Sequence, residues 1–399
     1  MRWRMLSLLF FARVGLGLQF QTMASSGDAF AMSFGLAYAE IGLLIGLFMA
    51  PGLFLALPAG FSGRYASDRL LAGGGLAALA LGGVMCGLAN DPTLVALGRL
   101  MAGAGFLFAN LYFTKMVADW FDGREIATAM SILVMSWPFG IAMGQAGYAW
   151  LIELHGWRVP FLSAAIYCAL AAVAVLMFYR PPETHSGPAS KGAFQLSRTE
   201  WALIVCAGVA WAVFNAGYVV YLSFGPKMLE VHGLSSIAAA GVISVGSWLM
   251  IVSGAICGQI VDRFGRRDVV LIICMTGAVA ALVLLSVPSA GLLASLLFGL
   301  IGMAPAGIIM ALSGQAVAPE RRAFGMGIFF TIYYAIMTAA PPVSGAIFDT
   351  VGTPGAALIF GMCLFAAVVP AALAFRLVQR QGADRLVKGE TKCTSGKPF

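Results

Sequence analysis

Charge is what this sequence lacks. Of 399 residues only 10% are Asp, Glu, Lys or Arg, against roughly 25% in an ordinary soluble domain, while 60% are hydrophobic and the mean hydropathy is +0.91. That balance excludes a water-soluble enzyme domain, a disordered chain and a nucleic-acid module, and it places the chain in a lipid bilayer. Histidine is scarce, and His155, His185 and His232 all fall in connecting segments. The seven cysteines stand singly, all but Cys393 in apolar runs where a thiol behaves as a small hydrophobe. No CxxC, HExxH or GxxxxGK[ST] pattern occurs. Metal sites, cofactors and enzymatic activity are therefore not expected.

What is present is a series of apolar runs of about 20 residues or more, each long enough to cross the hydrocarbon layer as a helix. Twelve of them begin near Met5, Ala39, Leu70, Thr93, Ile126, Val159, Glu200, Ser236, Val269, Gly291, Ala323 and Thr353. The longest polar stretch, Arg180 to Arg198, divides them six and six. The expected fold is thus all-α and integral to the membrane. Its domains are a six-helix half over 1–179, a central loop over 180–199, a second half over 200–378 and a tail over 379–399. If the N-terminus is cytoplasmic, 20 of the 24 Lys and Arg residues fall on that side, and only Arg158 and Lys227 fall opposite. This satisfies the positive-inside rule and accounts for a pI near 9.1 without an acidic partner. Both termini are expected in the cytoplasm and the protein in the bacterial inner membrane, as a monomer surrounded by lipid.

The connection between the eighth and ninth spans reads Gly258-Gln259-Ile260-Val261-Asp262-Arg263-Phe264-Gly265-Arg266-Arg267, and 199 positions earlier Ala59 to Asp68 echoes it. Arg99-Leu100-Met101-Ala102-Gly103-Ala104-Gly105 is an R-x-x-x-G-x-G element on the fourth span, and Gly156-Trp157-Arg158-Val159-Pro160-Phe161 precedes the sixth. These motifs resemble those of the major facilitator superfamily, over nearly the whole chain. The resemblance implies two pseudo-symmetric six-helix halves that rock about a central site, with the first, fourth, seventh and tenth spans lining the cavity. It also implies a cytoplasmic gate at Arg64, Asp68, Asp262, Arg263, Arg266 and Arg267. Gly63 stands where the family usually has Asp, so the carboxylate contact of that gate is expected from Asp262 or Asp68.

Two cations remain inside spans, Arg13 on the first and Arg99 on the fourth, whereas all 17 Asp and Glu residues lie in loops or at span ends. A cation at such depth costs at least about 2.5 to 3.5 kcal/mol, so each should face the interior and meet an acceptor. With no acid to pair them, a substrate anion is the natural partner, and the guanidinium fork suits a carboxylate. Gln21 shares a helical face with Arg13, and Asn110 shares one with Arg99. The resemblance implies an opposing wall from the second half, with Trp211, Asn215, Tyr218, Trp248, Gln315 and Tyr334 as its candidates. The function read from this pattern is transport of a small organic or inorganic anion by alternating access. The alternative is a drug/proton antiporter. The fifth span, Ser136-Trp137-Pro138-Phe139-Gly140, keeps the proline of the antiporter motif and loses its flanking glycines, which weakens that alternative. Coupling is open among uniport, exchange and symport, with a coupling proton carried by the substrate, Glu40 or Asp28.

Overall fold

The computed structural model describes residues 1–121, 125–182, 196–318 and 321–394, and among them all regular structure is helical. The first six spans are α1 (Arg2–Ser25), α3 (Tyr38–Leu47) continued by α4 (Pro51–Phe61), α5 (Asp68–Gly87), α6 (Pro92–Trp120), α7 (Ile126–His155) and α8 (Arg158–Phe178). A short extra helix, α2 (Gly27–Phe34), follows α1. The last six spans are α9 (Arg198–Val231), α10 (Ser236–Phe264), α11 (Arg267–Leu284), α12 (Gly291–Leu297) continued by α13 (Ala306–Ala316), α14 (Arg322–Val351) and α15 (Pro354–Thr394). Helix starts follow from side-chain caps. Asp91 accepts the Leu94 N–H at 3.0 Å with Pro92 at the first helical position, and Ser197 and Glu200 form a reciprocal capping box. The two divided spans break at sequence-encoded points. Pro51 has no N–H to continue α3, and a single π turn, Phe298–Gly302, ends before Pro305.

Eleven of these segments have the length and apolarity to cross a membrane on their own; α1 is the twelfth span. Its hydropathy is lowered by Arg13, Gln19, Gln21 and Thr22, all buried, so the least apolar span is also the one enclosed by others. It packs against α7 and α8. Glycine makes the closest of these approaches, because a Cβ on Gly17 would lie 2.4 Å from the Trp137 carbonyl oxygen. Among the small-residue pairs in the sequence, Gly42 and Gly46 face α14, Gly83 and Gly87 face α8, and Gly140 and Gly144 face α1. Gly254 and Gly258 are the exception: a Cβ on Gly254 would come no nearer than 3.9 Å to Met135, and one on Gly258 would meet nothing.

The two halves meet along α3 with α14 and along α7 with α10. Among the described residues, polar ties between the halves lie at the face opposite the chain termini. There the Asp349 carboxylate of α14 accepts the backbone N–H groups of Tyr38 and Ala39 at 2.9 and 2.8 Å, capping the N-terminus of α3 from the other half. Beside it Lys227 of α9 pairs with Asp28, donates to the Tyr38 hydroxyl at 3.1 Å and sits 4.4 Å from the Tyr38 ring centre. The Tyr38 hydroxyl in turn donates to Asp28 at 2.6 Å. On the terminal face, each ion pair described stays within one half: Arg2 with Glu125, Lys115 with Asp68 and Asp119, Arg321 with Glu200, and Arg376 with Asp268. The halves are therefore tied together at the face opposite the termini.

Candidate functional site

Arg13 is 8% exposed and occupies the junction of α1, α6 and α7. Its Nε and Nη2 donate to Asn110 Oδ1 at 3.0 and 2.8 Å, and Nη1 donates to the Leu133 carbonyl at 2.8 Å, the Ser136 hydroxyl at 3.0 Å and the Val134 carbonyl at 3.3 Å. The local sequence explains the acceptors. Pro138 has no N–H, so the carbonyl four residues earlier, that of Val134, is left without its helical donor and is free to accept from Arg13. Every one of these partners is neutral, and no carboxylate among the described residues lies within ion-pair distance. Arg13 is thus oriented by dipoles and not neutralised by them, which is the condition for attracting an anion.

Arg99 is differently placed. It is 1% exposed and donates from Nε to the Leu44 carbonyl at 3.0 Å and from Nη1 to the Gln19 carbonyl at 3.1 Å, with the Phe48 ring 4.6 Å from its guanidinium carbon. The Leu44 carbonyl is available because α3 ends at Leu47 and the Phe48 N–H bonds to Ile45 instead. Nη2 is enclosed and has no hydrogen-bond partner among the described residues. Arg99 and Arg13 share no acceptor, so the structure joins Arg13 to Asn110 and leaves Arg99 tying α1, α3 and α6 together. Arg99→Gln is expected to cost about 3 kcal/mol of stability through two lost charge-assisted bonds and the carbonyls left buried. The check is the thermal unfolding midpoint of the purified protein in detergent, which should fall by several degrees.

The other candidates are dispersed. Gln21 is fully buried and donates to Gln145 of α7 and, at 3.1 Å, to Ser25. Asn215 Nδ2 donates to the Trp211 carbonyl at 2.8 Å, while Trp211 stacks on Phe214. Tyr218 donates to Ser247 of α10 at 2.7 Å inside the second half. Trp248 meets Phe139 of α7 edge-on at 5.0 Å, across the halves. Tyr334 packs its ring on Gly52, where a Cβ would come within 2.4 Å of it. Gln315 lies at the exposed end of α13 and accepts from Arg376 at 3.0 Å.

Of the gate residues, Asp68 pairs with Lys115 in its own half, and the Arg64 side chain lies outside the described residues. Asp262, Arg263, Arg266 and Arg267 are exposed and make no ion pair among the described residues; the acid that pairs beside this loop is Asp268, with Arg376 at 3.2 Å. The contacts that hold the halves together, Asp349 and Lys227 with Asp28 and Tyr38, were not singled out as a gate from the sequence. One signal for them was present, since Lys227 is one of only two cations on that side. Glu40 serves the start of α3, accepting the Ala37 N–H at 2.9 Å.

The sequence profile described as Major Facilitator Superfamily matches residues 8–313 and 242–395. Among curated proteins the chain is 24% identical to a probable L-galactonate transporter of Escherichia coli (strain K12), over 94% of this chain and 88% of that one. It is 26% identical to a gallate transporter of Pseudomonas putida, over 84% and 80% of the two chains. Among solved structures it superposes with a TM-score of 0.72 and 20% identity on a bacterial homologue of the human lysosomal transporter Spinster in an inward-facing, occupied conformation, covering 95% of this chain and 97% of the other. The fold, the paired halves and the profile match together place this chain in the major facilitator superfamily.

Proposed function

We propose that the chain moves a small organic anion across the membrane by alternating access, binding its carboxylate at Arg13. The observation that carries this reading is the buried guanidinium held by Asn110, Ser136 and two backbone carbonyls, with no carboxylate beside it. Such a site repels the hydrophobic cations that drug exporters carry and attracts oxyanions. The names of two relatives, for L-galactonate and gallate, agree in being carboxylates. The preponderance of Lys and Arg on the terminal face supports a plasma-membrane protein with cytoplasmic termini. In that orientation the ties through Asp349 and Lys227 close the outer face. Glu40 already caps α3, so we assign a coupling proton to the substrate or to Asp28.

The test is uptake into proteoliposomes of labelled carboxylates, inorganic anions and organic cations, in parallel. Saturable uptake of a carboxylate, unaffected by a tenfold excess of organic cation, is the expected result. Uptake of cations alone would replace this reading with drug export.

A further inference from the structure

The connection between α10 and α11 has a counterpart 199 positions earlier, before α5, and the two are finished differently. The first-half copy is satisfied from within the chain. The Ser67 hydroxyl accepts the Leu70 N–H at the start of α5, and Asp68 pairs with Lys115 of α6. At the matching positions the second half has Arg266 and Arg267. The Arg266 side chain caps nothing, and the Asp268 and Val269 N–H groups at the start of α11 have no acceptor among the described residues. Nor does either guanidinium make an ion pair among them. A hydroxyl and a carboxylate have been exchanged for two cations, at a helix end that itself favours negative charge.

These donors surround a cavity of about 510 Å³, lined by Gly265, Arg266, Arg267, Asp268 and Val269 together with Arg376 of α15. Asp268 does not balance it. Its carboxylate pairs with Arg376 at 3.2 Å, and Arg376 donates further to Gln315 and Gln379 at 3.0 and 3.1 Å. Three arginines less one aspartate leave the lining at +2. Toward the membrane interior the surroundings are apolar. Val269 is exposed, as are Ile272 and Ile273 on the same face of α11, and Leu373 lies exposed one turn deeper than Arg376 on the neighbouring α15. A ligand that fits both the cationic cavity and the apolar stripe has an anionic head and a hydrocarbon tail.

We propose that this cavity binds an anionic phospholipid. Arg266, Arg267 and the open amides of α11 hold its phosphate, and an acyl chain runs along Val269, Ile272 and Ile273. Free phosphate offers the same oxyanion and leaves the stripe unused. A zwitterionic phospholipid offers the same phosphate and tail, and brings a further cation to a lining that already carries an excess of them. The net negative charge of the headgroup is what the site selects.

The experiment follows the thermal unfolding midpoint of the purified full-length protein in nonionic detergent, titrated with phosphatidylglycerol, phosphatidylcholine or inorganic phosphate. Wild type is expected to show a saturable rise of several degrees with phosphatidylglycerol and little with the other two. Combining Arg266→Gln with Arg267→Gln removes two exposed side chains that have no ion-pair partner, so the fold should persist while the half-saturating lipid concentration rises at least about tenfold. Lysine at both positions keeps the charge and loses the planar fork, and should fall between. Combining Arg69→Gln with Arg198→Gln, two exposed arginines of the terminal face outside the cavity, should keep the wild-type value. Equal shifts from the two lipids, an unchanged half-saturation in the Arg266 and Arg267 glutamine variant, or an equal loss in the Arg69 and Arg198 variant overturns the proposal. A shift from inorganic phosphate that matches phosphatidylglycerol overturns it in favour of a free-phosphate site.

Discussion

Arg13→Gln is expected to lower carboxylate transport at least about a hundredfold while the bundle stays folded. A carboxylate on a guanidinium makes charge-assisted bonds worth about 1.5 to 3 kcal/mol each, so losing two corresponds to two or more powers of ten. The glutamine amide reaches some of the same space and donates to Asn110 or the Leu133 carbonyl, so the local acceptors are not all left bare. Removing a buried cation also relieves a desolvation cost, which favours folding. Arg13→Lys keeps the charge and loses the planar fork that spans Asn110 on one side and Ser136 on the other. It should fall between the two, with KM raised more than kcat is lowered. Uptake by Arg13→Gln equal to wild type at matched folded protein would remove Arg13 from the binding site.

Gly345→Ala is expected to stop the transport cycle for a reason unrelated to the substrate. Alanine inside a helix ordinarily stabilises by up to about 1 kcal/mol relative to glycine, so intrinsic propensity predicts a gain. Here the added Cβ would lie 2.0 Å from the Tyr38 carbonyl oxygen, 2.4 Å from its carbon and 2.6 Å from the Ala39 nitrogen, all backbone atoms that cannot rotate away. The contact is reciprocal, since a Cβ on Gly42 would lie 2.3 Å from the Pro341 carbonyl oxygen. One methyl group must therefore push α3 and α14 apart, and with them goes the reach of Asp349, one turn along α14, to its two amides. The expected result is a protein biased toward opening at the face opposite its termini, with uptake reduced at least about tenfold. A cysteine replacing Ser223, which lines the polar cavity of about 280 Å³ between the halves at that face, reports it. In a background without the native cysteines it should react several-fold faster with a membrane-impermeant maleimide once Gly345→Ala is added. Equal labelling rates would mean that this glycine contact does not limit closure.

The membrane class, the helical spans and the two interior arginines were legible in the sequence because they depend on local quantities: hydropathy, length, and the expense of a cation in an apolar run. Partnership was less legible. Asn110 was visible on the face of Arg99, its neighbour along α6, yet it bonds to Arg13 of α1, because helical spacing reports which residues share a face and not which face meets another helix. Ser136 was conspicuous beside Pro138, but its role depends on the carbonyl that the missing proline N–H leaves free on α7. The loop carrying Asp262, Arg263, Arg266 and Arg267 has a strong motif, yet none of the four makes an ion pair among the described residues, because a sequence motif reports the chemistry of a segment and not the partner it meets in a given conformation. The ties that do close this state were harder still to read. Asp349 and Tyr38 are more than 300 residues apart in the chain, and nothing local to either announces the other.

The bond between Asp349 and α3 has a consequence for how this interface varies through descent. Its acceptor is a side chain but its donors are main-chain amides, and every amino acid except proline supplies one. Position 39 can therefore drift through almost the whole alphabet without weakening the clasp, while position 349 is held to a short acidic side chain. Pairwise covariation between the two positions would be flat, although they hold one of the strongest contacts between the halves. An interface built in this way keeps its fastening while its helix surface is free to adapt to lipid.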